Sequence, residues 1–107
     1  MYAGNSQNCD VSAVTIGVTN TGQKVGSDTV FEVEVKNTCR CSASNVAVFS
    51  LGFSSSMKVD PKLFRIEGKD YVVNDKKAIA SMESVKFQYS WSRPFRMSVL
   101  SVQFDSC

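Results

Sequence analysis

No histidine occurs among the 107 residues, and that absence removes much of ordinary enzyme chemistry. Histidine is the usual proton carrier at neutral pH and the commonest nitrogen ligand for metals. Serine–histidine and cysteine–histidine nucleophiles are therefore excluded. There are only two prolines and one tryptophan. No glycine-rich loop of the kind that cradles phosphate is present, and no apolar run approaches the roughly 18 residues of a membrane-crossing helix. The net charge of +2 is too small to imply nucleic acid. The ten acidic residues fall mostly in turns or on outward strand positions, and no spacing singles out a glycosidase-like pair. The reading is a non-enzyme with no cofactor, no nucleic-acid partner and no membrane insertion.

What is there points to strands. Hydrophobic residues make up 43% of the chain, enough for one folded domain that buries about two thirds of its unfolded surface. Valine, serine and threonine dominate over alanine and leucine, a balance that favours β-structure. Charge is uneven. Residues 1–54 carry three basic and four acidic side chains, giving −1, and residues 55–107 carry nine and six, giving +3. A basic bias of that size reads first as a solvated face and second as a surface for an acidic partner.

Along the chain, residues 1–8 are small, polar and expected to be a flexible N-terminal segment, with the folded domain over 9–107. Met1-Tyr2-Ala3-Gly4-Asn5-Ser6 has no signal-peptide pattern and reads as a mature or trimmed start with an added initiator methionine. Val14, Ile16 and Val18 alternate with polar residues as a half-buried strand, ended by turn residues Asn20-Thr21-Gly22-Gln23. Phe31, Val33 and Val35 alternate with Glu32, Glu34 and Lys36. Asn45–Phe53 is nearly continuous in apolar character, as expected of a central strand covered on both faces. Phe64–Ile66 and Tyr71–Val73 flank a glycine-bearing hairpin loop. Val85, Phe87, Tyr89 and Trp91 put aromatics on one face up to Pro94, where the strand ends or bends. A last strand from Phe95 to Phe104 shifts parity between Val99 and Leu100, which suggests a β-bulge or a strand buried on both faces. About seven strands at roughly ten-residue spacing define an all-β, single-domain antiparallel β-sandwich.

Four cysteines complete the inventory: Cys9, Cys39, Cys41 and Cys107. Zinc sites bring ligands in closely spaced pairs, whereas here 29, 1 and 65 residues intervene. An even count in a short chain reads as a disulfide framework and an oxidising compartment. Cys39 and Cys41 are too close in sequence to bond each other without poor torsion at sulfur. Their segment then staples both ends of the chain. On a strand the two would share a face, with Arg40 opposite. Asn37-Thr38-Cys39 is a weak variant of the glycosylation signal.

Cys9, Asn37-Thr38-Cys39-Arg40-Cys41, Asp60-Pro61-Lys62-Leu63-Phe64-Arg65, Asp70-Tyr71-Val72-Val73-Asn74-Asp75, Val85-Lys86-Phe87-Gln88-Tyr89-Ser90, Ser98-Val99 and Ser106-Cys107 follow one another in order. In that order and spacing they resemble the Tapetum Determinant family of small secreted cysteine-rich plant proteins. The resemblance implies an apoplastic signalling ligand recognised by the ectodomain of a leucine-rich repeat receptor kinase in cell-fate or developmental signalling. It also implies six cysteines, of which this chain lacks two, at the positions of Ser50-Leu51 and Tyr71. Their joint absence suggests that they pair in relatives and that the four here form two remaining bridges. Those are Cys9–Cys39 with Cys41–Cys107, or Cys9–Cys41 with Cys39–Cys107; the sequence does not choose. Candidate receptor contacts are the charged residues Lys62, Arg65, Lys69 and Asp70. The alternative is a non-catalytic cell-wall glycan-binding module using Trp91, Tyr89 or Tyr71, set against the simpler reading that these aromatics fill the core.

Overall fold

The computed structural model describes residues 9–105 and 107, so the expected flexible segment 1–8 lies outside the described residues. Seven strands are present: β1 Val14–Val25, β2 Asp28–Asn37, β3 Ser42–Phe49, β4 Phe64–Glu67, β5 Asp70–Val73, β6 Ser84–Trp91 and β7 Ser98–Asp105. They form two antiparallel sheets, ordered β1-β2-β6 and β4-β5-β3-β7. Short 3₁₀ turns at Val11–Ala13 and Asn74–Lys76 are the only helical pieces among the described residues.

The alternation seen in the sequence becomes the core. Phe31, Val33 and Val35 of β2 point inward with Val14, Phe87 and Tyr89, and meet Ala43, Val46, Val48, Phe64 and Val73 of the other sheet. Because side chains alternate with period two, each sheet buries one face and leaves the other to water. Glu34 of β2 accordingly stands opposite Lys86 of β6 on the outer face.

Three expectations change in detail. Asn20-Thr21-Gly22-Gln23 does not end the first strand; it makes an irregularity within it, and pairing resumes at Lys24↔Thr29. The Thr21 hydroxyl donates to the Val30 carbonyl at 2.8 Å and the Asn20 side chain accepts from the Gly22 N–H at 2.8 Å. These side chains replace the lost ladder bonds, so the strand continues. The apolar run of β3 is central in its sheet but open on one side: Phe49 is 43% and Leu51 80% exposed. A two-layer sandwich has no third layer to cover that face, and β3 ends at Phe49, not Phe53. The last strand begins at Ser98, because residues 92–97 cross from one sheet to the other.

The bulge in β7 appears where the parity shift placed it. Val48 pairs with Val99 and Ala47 with Ser101, leaving Leu100 as the extra residue. A second irregularity between Ser44 and Ala47 centres on Asn45, whose φ is +51°. It lets Ala43 and Val46, three residues apart, both point inward. The β4–β5 hairpin turns on Gly68 at φ +70°, with Glu67 paired to Asp70. A positive φ at only the first central position is the type II′ pattern, which suits glycine and matches the twist of the strands.

Candidate functional site

The stapled segment resolves the open pairing. Cys9 bonds Cys39 and Cys41 bonds Cys107, with Cα–Cα distances of 6.1 and 4.0 Å. No cysteine is free, and although three of the sulfurs lie within 4.8 Å of one another, their pairing leaves no thiolates for zinc. Cys39 and Cys41 are buried and Arg40 is exposed, as expected, but the segment is a bend and not a strand. Its shape comes from Asn37, which is fully buried. The Asn37 side-chain amide donates to the carbonyls of Cys41 and Ile79 at 2.8 and 2.9 Å, and its oxygen accepts from the Cys39 N–H at 2.9 Å. The Ser81 hydroxyl donates to the Cys39 carbonyl at 2.7 Å. Asn37 is thus a structural residue with no exposed amide for a glycan, which overturns the glycosylation reading. Sequence reasoning missed that role, for which no local pattern exists.

The charged residues of segment 60–75 divide. Lys62 is exposed in the turn after Asp60, whose carboxylate accepts from the Lys62 N–H at 2.9 Å. Lys69 is exposed at the hairpin tip and Asp70 is half-buried beside it. Arg65 is engaged: its guanidinium donates to Asp75 at 2.7 Å, Glu67 at 3.3 Å and the Pro61 carbonyl at 3.2 Å. Lys76 adds a 2.5 Å contact to Glu67, making a surface chain Asp75–Arg65–Glu67–Lys76. The Arg65 guanidinium holds the Asp75 carboxyl below its usual range. Lys76 first, with Arg65 assisting, does the same for Glu67. Asn74, Asp75 and Lys76 all have positive φ, between +56° and +67°. Consecutive non-glycine residues in that region are costly, and two ion pairs hold the Asp75 and Lys76 side chains of this turn.

The aromatics are a core and not a sugar platform. Tyr89 is wholly buried, and its hydroxyl accepts from the Phe95 N–H at 2.9 Å. Tyr71 stacks on Phe64 with centroids 4.7 Å apart, and Phe53 meets both edge-on. Trp91 is half-buried, 6.2 Å from Phe95. Tyr89 is thus buried, and Tyr71 and Trp91 are half-buried against core rings, so the three do not form the flat exposed row a sugar ring would need.

Residues 10–105, spanning every strand and the segment between the two bridges, match a family profile described as Tapetum determinant 1, C-terminal. The chain belongs to the Tapetum determinant 1 family. It is 33% identical over 78 residues to TPD1 protein homolog 1A of Oryza sativa subsp. japonica, covering 64% of this chain and 34% of that protein. It is 35% identical over 75 residues to TPD1 protein homolog 1 of Arabidopsis thaliana, covering 67% of this chain and 42% of that protein. An uncharacterised Arabidopsis thaliana protein is 30% identical over 109 residues, covering 98% of this chain and 85% of its own length. The chain thus spans well under half the length of the two named TPD1 homologues it matches. No solved structure matches. Tyr71 packs against Phe64 and Phe53, and Ser50 is buried.

Proposed function

We propose that the chain is a secreted protein ligand, without catalytic activity, that binds the ectodomain of a leucine-rich repeat receptor kinase in the plant apoplast. The observation that carries this reading is the family match over residues 10–105. Two bridged pairs in a small domain, each linking one end of the chain to the Cys39–Cys41 bend, suit an oxidising extracellular space. Among the described residues no helix is long and apolar enough to cross a membrane. Lys62 and Lys69 supply exposed charge for the receptor, with Asp70 beside the tip and Arg65 stiffening the hairpin that presents them.

Capture of the oxidised protein on a panel of immobilised receptor-kinase ectodomains tests the reading. One ectodomain is expected to bind, and Lys62→Glu with Lys69→Glu to weaken it about tenfold, mostly through slower association. Failure of every ectodomain to retain folded, fully oxidised protein would rule out the ligand role.

A further inference from the structure

The end of the sandwich that holds the tip of the β4–β5 hairpin carries a second cationic surface, built differently from the hairpin. Residues 92–97 cross between the sheets there, and a cleft of about 560 Å³ opens beneath them, lined by Phe49, Leu51, Pro94, Phe95, Arg93 and Arg96 among others. A second depression of about 550 Å³ runs on over Val18, Thr29 and Phe31, and shares Arg93 and Pro94 with the first. No acidic residue lines either one. Among the described residues neither Arg93 nor Arg96 makes an ion pair, in contrast to Arg65. Leu51 at 80% and Phe49 at 43% exposure form an apolar wall beside those two charges.

We infer that this double cleft is a docking site for an acidic segment of a partner protein, seating an apolar side chain on Phe49, Leu51 and Phe95 between carboxylates that pair with Arg93 and Arg96. Charge selects that occupant: uncompensated guanidinium groups beside an apolar wall favour carboxylates flanking a hydrophobic anchor. Shape supports a length of chain, since the two depressions adjoin along a line from one sheet to the other. A second copy of this protein fits less well, because it would bring a like-charged surface to the same place. The inference rests on the ligand reading and deepens it by giving the receptor a second contact, one strand over from the tip of the β4–β5 hairpin, since Val48 pairs with Tyr71 and so sets Asp70 beside Phe49.

Trp91, the single tryptophan, touches Phe95 in the cleft wall and so reports on occupancy. The whole oxidised protein is titrated with a blocked pentapeptide of leucine flanked by two glutamates on each side. A saturable change in Trp91 emission is expected, weakening with added salt. Arg93→Glu with Arg96→Glu should reduce affinity at least about tenfold, and Leu51→Ser should reduce it too. All three positions are exposed, so these variants should keep the wild-type unfolding curve. Arg65→Gln, outside both depressions and already paired with Asp75 and Glu67, should bind unchanged. Equal binding of an analogue with lysines in place of glutamates, absence of saturation at millimolar peptide, or concentration-dependent dimerisation abolished by Leu51→Ser would each overturn the proposal. Since the peptide needs no receptor, failure here leaves the ectodomain test standing. An ectodomain that binds wild type and the Arg93→Glu, Arg96→Glu protein equally would reject the second contact alone.

Discussion

Tyr89 shows how far a single residue can be read. Its place in an aromatic alternation marks it as core, and the structure buries it completely between Phe31 and Phe53. The sequence has no signal for its hydroxyl, which accepts from the Phe95 N–H across the crossover. Tyr89→Phe keeps the ring but orphans that N–H in a largely dry site. A loss of about 1–2 kcal/mol is expected, read as a lower midpoint in urea at unchanged slope. Arg65 is the opposite case. Its charge suggested a free contact, and its partners Glu67 and Asp75 lie two and ten residues away, a pairing visible only once the hairpin is closed. The folded pKa values of Asp75 and Glu67 lie below their unfolded ones. Their contribution is therefore present above the ordinary carboxylate range and is lost as pH falls through the lowered values. In a carboxyl-detected NMR titration, Arg65→Gln should raise the Asp75 midpoint clearly. Glu67 should move less, because Lys76 remains.

At the scale of elements, strands were legible wherever a face alternates, as in Phe31–Lys36 and Val85–Trp91, because burial of one face imposes period two. The parity shift at Leu100 marked an irregularity, and of its two readings, a bulge or a doubly buried strand, the structure has the bulge. Interruptions were harder. Asn20-Thr21-Gly22 looks like a stop, yet its own side chains supply replacement hydrogen bonds. The apolar run before Phe53 looks doubly buried, yet Phe49 and Leu51 stand in water, and what an apolar residue meets depends on layers that no local pattern encodes. Pairing of the cysteines was likewise undecidable, since Cys39 and Cys41 differ by one position and the choice turns on the buried Asn37 bend. The bridges close 30- and 66-residue separations. In the chain-entropy picture these are worth about 3.5 and 4.5 kcal/mol. Replacing Cys41 and Cys107 together by serine should therefore lower the thermal midpoint more than replacing Cys9 and Cys39, as calorimetry would show.

The whole molecule is elongated, 56 × 29 × 19 Å, and has two distinct ends. β2 and β6 run between them: Lys36 and Ser84 pair near the bridged bend, and Thr29 and Trp91 near the arginine cleft. Seven residue steps along β6 separate those ends by about 23 Å. Substitutions at Arg93 or Arg96 should consequently leave the stability of the bridged end unchanged, and the two double-cysteine variants that still fold should keep the peptide response of Trp91.

The order of the bonds at that bridged end has a mechanical consequence. A pull applied to the two ends of the chain travels from Cys9 through sulfur to Cys39, across Arg40 to Cys41, and through sulfur again to Cys107. That path is covalent throughout and bypasses every strand, so tension on the oxidised protein does not load the sheets at all. Stretched in a single-molecule instrument by its termini, the oxidised domain should yield no unfolding step. After reduction, the 98 residue steps from Cys9 to Cys107 come under load, and up to about 350 Å of hidden length should be released as the sandwich opens.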